Sequence, residues 1–179
     1  MIKNNINEVK KESMSNFLMS DYLKNPNIMI YNELGNIDNI EDILPNNNDY
    51  VILLYERFKN DGHWVCILRI NDTIEYFDSY GKNVDYAIDN WFKENKEQQN
   101  KYLSNLLNKT ELKVFTNPID YQNTNSDIST CGRHCIFRIL NMLKYNRDLS
   151  KYYQLMETLK KKTGYNYDEI VSYMINLID

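Results

Sequence analysis

Four side chains in this sequence stand in an order that could support attack of a thiol on a carbonyl carbon. Cys131 lies at the predicted N-terminus of a helix, after a polar loop ending in Ser129-Thr130. Helix N-termini favour a thiolate because their unpaired amides carry partial positive charge. A free thiol of pKa about 8.5 is only roughly 3% ionised at pH 7, so a nucleophilic one needs a base or a cation beside it. Gly132 follows and, lacking a Cβ, would let a substrate chain pass close to the sulfur. Amides of the same first turn could bind an oxyanion. The chain has two histidines, His63 and His134. His134 is three positions beyond Cys131 on the same helix, too close along the chain to swing over the sulfur, and reads as helix surface or packing. His63 follows Gly62 at the start of a strand, a rigid mount that can still face a cleft. Asp78 closes the strand Ile74–Phe77. If that strand pairs with the one carrying His63, the carboxylate could fix the tautomer of the ring and stabilise its imidazolium. Gln122, in the loop before Cys131, offers a neutral amide donor to a developing oxyanion.

Each residue also has an ordinary reading: a packed histidine between Gly62 and Trp64, a turn aspartate, an isolated loop glutamine. Of the three cysteines, Cys135 falls on the apolar stripe with Ile139 and Cys66 in a buried strand, so both read as core thiols. A zinc site from His63, Cys66, Cys131 and Cys135 has the right ligand count. His63 and Cys66, three apart on one strand, would however point to opposite faces. No metal and no cofactor is expected.

The elements that must carry these residues follow from periodicity. Residues 7–23 suit a short amphipathic helix, Ile28 to Tyr31 a short strand, and Ile37 to Leu44 a helical turn ended by Pro45. Strand patterns then dominate: Tyr50–Tyr55, a turn over Lys59–Gly62, His63–Ile70, a tight turn at Asn71-Asp72, and Ile74–Phe77. The near-continuous apolar run Trp64–Leu68 suggests a strand covered on both faces. Asp85 to Lys109 is helical in pattern with a break over the polar stretch Lys93–Lys101. Leu112–Phe115 is a short strand and Asn117 to Thr130 a loop. A strong helix starts at Cys131, with Cys135, Ile136, Ile139, Leu140 and Leu143 at helical spacing. Two more helices are expected near 149–162 and 167–178. Strands in the middle and helices at the ends give an α+β domain, with a central, mostly antiparallel or mixed sheet flanked by helices.

A chain of 179 residues with 42% hydrophobic content can bury the core of one domain over its whole length. A formal net charge of -4 disfavours general phosphate binding, and the Lys160-Lys161-Lys162 run reads as a solvated helix end. No stretch is long and apolar enough to span a bilayer, and the N-terminus lacks the apolar core of a secretory signal. These features, with thiols too few for a disulfide scaffold, read as a soluble intracellular protein without a membrane partner.

The ordered set Gly62-His63-Trp64, Phe77-Asp78-Ser79-Tyr80-Gly81, Gln122 and Thr130-Cys131-Gly132-Arg133-His134-Cys135 resembles the adenovirus-type maturation proteases. More narrowly, it is similar to those of virophages, polinton-like elements and large DNA viruses. The signature is shared by Ulp1-type proteases, which remove SUMO and related modifiers. The resemblance runs from about residue 15 to the C-terminus and is most specific over Tyr50–Gly81. It implies an adenain/Ulp1-like fold with Cys131 as nucleophile, His63 as base, Asp78 as third triad member and Gln122 as oxyanion donor. It also implies that Trp64 matches the tryptophan after the catalytic histidine. By the same resemblance the substrates would be viral capsid or core precursors, cut at Gly-Gly-X or Gly-X-type sites in the virion or in the viral factory of the host cytoplasm. An activating peptide or DNA is used by adenoviral relatives. The loop from Gln122 to Cys131 is longer than in those relatives, and the chain has no Gly-Gly of its own. Two further readings are an isopeptidase acting on ubiquitin-like tails and the non-enzymatic zinc module.

Overall fold

The computed structural model describes residues 6, 8–12, 14–59, 61–96, 99–124 and 127–177. Its centre is a five-stranded sheet in the order β1-β2-β3-β4-β5. The strands are β1 (Ile28–Ile30), β2 (Tyr50–Phe58), β3 (Asp61–Ile70), β4 (Thr73–Phe77) and β5 (Lys113–Thr116). The three middle strands pair antiparallel through two tight connections, while β1 and β5 join the edges in parallel. The expected α+β class and mixed sheet are therefore what the chain adopts.

Alternation along the strands sends side chains into two separate apolar layers. Ile52, Leu54, Trp64, Cys66, Leu68 and Phe77 face one side. There they meet α4 (Cys131–Tyr145), α5 (Leu149–Thr163) and α6 (Tyr167–Asn176). Val51, Leu53, Tyr55, Val65, Ile67 and Tyr76 face the other, under α2 (Tyr86–Asn90), α3 (Tyr102–Lys109) and the 3-10 turns at Tyr31–Asn36 and Ile40–Asp42. This explains the apolar run Trp64–Leu68, since every residue of it is covered whichever way it points.

The second layer is tied together by one buried carboxylate. Asp85 accepts hydrogen bonds from the Tyr31 and Tyr55 hydroxyls at 2.8 and 3.0 Å, and from the Ser104 backbone N–H and hydroxyl at 3.1 and 2.6 Å. α2 and α3 are separate short helices, so among the described residues the break expected over 93–101 is present; residues 97 and 98 lie outside them.

The expected helix over 7–23 is divided. Residues 8 and 9 are helical and 10–12 form a turn, while α1 begins only at Asn16 and ends at Tyr22; residues 7 and 13 lie outside the described residues. The cause is tertiary. The carbonyls of Lys10 and Met14 accept from Ser129 N–H at 2.8 Å and from the Trp64 indole N–H at 3.1 Å. The Glu12 carbonyl accepts from the Arg133 guanidinium. Three carbonyls of the segment are thus engaged outside any helical ladder. The helix expected to run to 178 ends at Asn176, and residue 178 lies outside the described residues.

Gly62 fixes where β3 begins. Between Glu56 and Phe58 the β2–β3 register shifts, and a Cβ built on Gly62 would lie 1.9 Å from the Tyr55 carbonyl oxygen. Only glycine lets the strands close at that point, one residue before His63. Gly62→Ala should therefore lose about 1–3 kcal/mol of stability through overpacking against backbone, read as a lower urea midpoint at unchanged slope.

Candidate active site

His63 is the third residue of β3, paired with Tyr55 just beyond the bulge, with its ring buried. Asp78, immediately after β4, is buried as well. The Nε2 of His63 and Oδ1 of Asp78 are 2.9 Å apart. A carboxylate can only accept, so the ring donates from Nε2 and leaves Nδ1 for a second partner. Cys131 is the ring's other reactive neighbour: its sulfur interacts with the imidazole and lines the same groove. The strands of His63 and Asp78 pair directly, with Cys66 opposite Phe77. The sheet thus mounts the imidazole and the carboxylate on adjacent strands, and α4 brings the thiol in from the helical layer.

The carboxylate is itself held. Tyr80 N–H donates to the same Asp78 Oδ1 at 2.8 Å, and the Asn117 amide donates to the Asp78 carbonyl at 2.7 Å. Burial alone would drive a proton off the His63 ring, but the charge and hydrogen bond of Asp78, then the sulfur of Cys131, outweigh it. The ring's pKa is raised from 6.5 to about 10. At neutral pH the sulfur therefore faces a cation.

Gln122 is buried and lies at the same groove. Ser79 Oγ–H donates to its side-chain oxygen at 2.7 Å, and its backbone N–H donates to the Ser79 carbonyl at 2.9 Å. With the oxygen anchored, the amide NH2 is the end left to donate. His63, Gln122 and Cys131 line a groove of about 650 Å³, together with Tyr80, Trp91 and Ser129. Trp91 stands edge-on to the His63 ring with centroids 5.4 Å apart, and Tyr80 lies 5.1 Å away at a tilt of 35°. Sequence reasoning did not single out either aromatic as part of the site. Tyr80 stands in the quoted Asp78–Gly81 turn, and Trp91 carried only the signal of an apolar helical residue.

No family model matches the sequence. Among curated proteins, the uncharacterized protein V9 of Sputnik virophage is 35% identical over 160 residues, which is 82% of this chain and 90% of V9. The chain belongs to the family of Sputnik virophage V9. The crystal structure of a de-sumoylating protease aligns with 99% of this chain and 79% of its own, at 15% identity and a TM-score of 0.35.

One expectation about this V9 relative needs correction. The side of Gly132 expected to stay open for a substrate is filled. A Cβ there would lie 2.6 Å from Met14 Cβ and 2.8 Å from Met19 Cε, so the glycine makes room for the N-terminal segment. Its backbone N–H remains part of the first helical turn beside the sulfur. His134, read as helix surface or packing, is entirely packing: it is fully buried, and its Nε2–H donates to Asp168 Oδ1 at 3.1 Å. Trp64 lies behind the groove, in the core under α4, and is not among the groove's described walls.

The remaining thiols sit where the apolar pattern put them. Cys66 and Cys135 are both completely buried in the helical layer, and Cys66 S–H points to the Cys135 carbonyl at 4.0 Å. Burial, then hydrogen bonding to Cys66, pushes the Cys135 thiol well up. Cys131 is the one cysteine with partial exposure.

Proposed function

We propose that this V9 family member is a thiol endopeptidase in which Cys131 is the nucleophile, His63 the acid–base and Asp78 the group that orients and charges the ring. The observation that carries the reading is one buried imidazole bonded to a carboxylate through Nε2 and sharing a groove with a partly exposed thiol at a helix N-terminus, with which it interacts. The thiolate attacks the scissile carbonyl, and the imidazolium passes its proton to the leaving amine. The oxyanion is held by the Gln122 amide and by backbone N–H groups of the first turn of α4. Water then enters with His63 as general base, the thioester breaks, and the acid product leaves Cys131 free.

The ordered motif set and the relationship to a virophage protein support a substrate among viral capsid or core precursors. Cleavage at Gly-Gly-X or Gly-X-type sites, in the virion or the viral factory, belongs to the same proposal. The zinc module is disfavoured because Cys66 and Cys135 lie in packed core and the Nε2 of His63 is already bonded to Asp78. The test is incubation of the purified protein with virophage capsid precursors and, in parallel, with ubiquitin-like modifiers carrying a C-terminal fluorophore, with products mapped by mass spectrometry. Cleavage of the precursors after small residues is expected. Release of fluorophore with intact precursors would move the chain to the isopeptidases. Failure to cut either, by protein whose Cys131 still reacts with iodoacetamide, would overturn the protease reading.

A further inference from the structure

We propose that Asp168 is a positioning residue that clamps both ends of the loop joining Gln122 to Cys131, holding the oxyanion donor in register with the sulfur. The proposal rests on the protease reading above for its consequence in catalysis. Asp168 lies in the first turn of α6, far from the groove in sequence and outside its walls. It is 2% exposed. Its two oxygens serve opposite ends of the loop. Oδ2 accepts the backbone N–H of Asn123, the neighbour of Gln122, at 3.0 Å. Oδ1 accepts the hydroxyl of Thr130, the neighbour of Cys131, and the Nε2–H of His134 at 3.1 Å.

Capping of α6 does not account for this carboxylate. The cap is made by Asn166, whose side chain accepts from Glu169 N–H at 2.9 Å, while Glu169 reaches back to Asn166 N–H at 2.9 Å. Nor is the carboxylate a neutral filler of the core. Burial favours its protonated form, but His134, the Thr130 hydroxyl and the Asn123 N–H hold its pKa below the ordinary value. A charged, dehydrated acceptor with donors from three places is a stiff joint. His134 completes it from within α4, and its Nδ1 is buried without a hydrogen-bond partner among the described residues. The ring thus makes its one hydrogen bond to the clamp.

The two ends depend on the joint unequally. Cys131 is also held by the ladder of α4, where His134 N–H bonds the Thr130 carbonyl at 2.9 Å. Gln122 is held by Ser79, at its side-chain oxygen and its backbone N–H, and through the bond that the neighbouring Asn123 N–H makes to Asp168. Loss of the clamp should therefore move the oxyanion donor more than the nucleophile. A displacement of about 1 Å can cost on the order of 100-fold in rate.

The experiment compares hydrolysis, which needs an oxyanion site, with iodoacetamide alkylation, which does not. Asp168→Ala is expected to lower kcat by about 30- to 100-fold at little change in KM, with the alkylation rate of Cys131 within threefold of wild type. Asp168→Asn should recover most of the activity, because its carbonyl can accept from Asn123 while its NH2 turns to the Thr130 hydroxyl and to His134 Nε2, which accepts once the ring carries its proton on Nδ1. Hydrogen exchange at the Asn123 amide should rise at least tenfold in Asp168→Ala, a readout that stands even if no substrate is cleaved. Equal losses in hydrolysis and alkylation, wild-type hydrolysis, or unchanged Asn123 exchange would each overturn the clamp. If Asp168→Ala fails to fold, the near-isosteric Thr130→Val removes one donor, and hydrolysis at the wild-type rate in that variant overturns it as well.

Discussion

Cys131→Ala is expected to fold as the wild type does and to cleave nothing, while Asp78→Ala should keep only about 10⁻² to 10⁻⁴ of the wild-type kcat. The first removes the one partly exposed thiol. The second leaves the sulfur and ring in place but frees the ring to rotate, because the 2.9 Å bond to Asp78 is what orients it. Asp78→Asn should be milder and more informative. Tyr80 N–H donates to the oxygen that also meets His63, so the asparagine carbonyl stays toward the ring and only the negative charge is lost. With the charge gone, burial acts on the ring with less opposition, and burial disfavours the imidazolium. The alkaline limb of kcat/KM, expected near pH 10 in the wild type, should then move toward lower pH. A limb unchanged in Asp78→Asn would show that Asp78 does not set the ring's charge. The same shift has a stability face. The folded ring holds its proton up to about pH 10, and an unfolded one only to about 6.5. Its contribution is therefore complete below pH 6.5 and is lost as pH rises through 10.

Arg138→Met should cost about 3–5 kcal/mol, the largest stability loss expected from a single change outside the site. Arg138 Nε and a terminal guanidinium nitrogen donate to the two oxygens of Glu75 at 2.7 and 2.6 Å, with both side chains buried between β4 and α4. The guanidinium also lies over the Tyr152 ring, 5.1 Å from its centroid. Removing the arginine strands a carboxylate in the core, and that dehydrated, unpaired charge accounts for most of the cost. Glu75→Leu combined with Arg138→Met should therefore recover much of the loss, as measured by urea unfolding. If the double variant is as unstable as the single one, the penalty comes from packing and not from the stranded charge.

The sheet was legible because its strands are bounded by local signals. Asn71-Asp72 and the polar stretch around Gly62 delimit β3, and apolar residues fill what lies between. His63, Asp78, Gln122 and Cys131 could be picked out because each sits at an element edge, and the structure brings all four to one groove or its support. What escaped was pairing across distance. Glu75 and Arg138 are charged residues within apolar patterns, and nothing local says they meet. Asp168 reads as an acidic residue suited to a helix start, while its partners lie 38 and 45 residues away. The interruption of the N-terminal helix was hidden for the same reason, since the bonds that break it come from Trp64, Ser129 and Arg133. Gly132 shows that a residue type can be noticed and its use mistaken: absence of a side chain admits whichever neighbour is present, and here the neighbours are Met14 and Met19.

The unequal access of the three sulfurs gives any preparation of this protein a built-in titrant. With Cys66 and Cys135 sealed in hydrocarbon and only Cys131 meeting solvent, a chromogenic disulfide reagent consumes one equivalent per native chain and the other two only after denaturant is added. The native equivalent counts molecules with an accessible Cys131 directly, so their concentration is known without an engineered tag or a substrate, and any later turnover number can be expressed per working thiol.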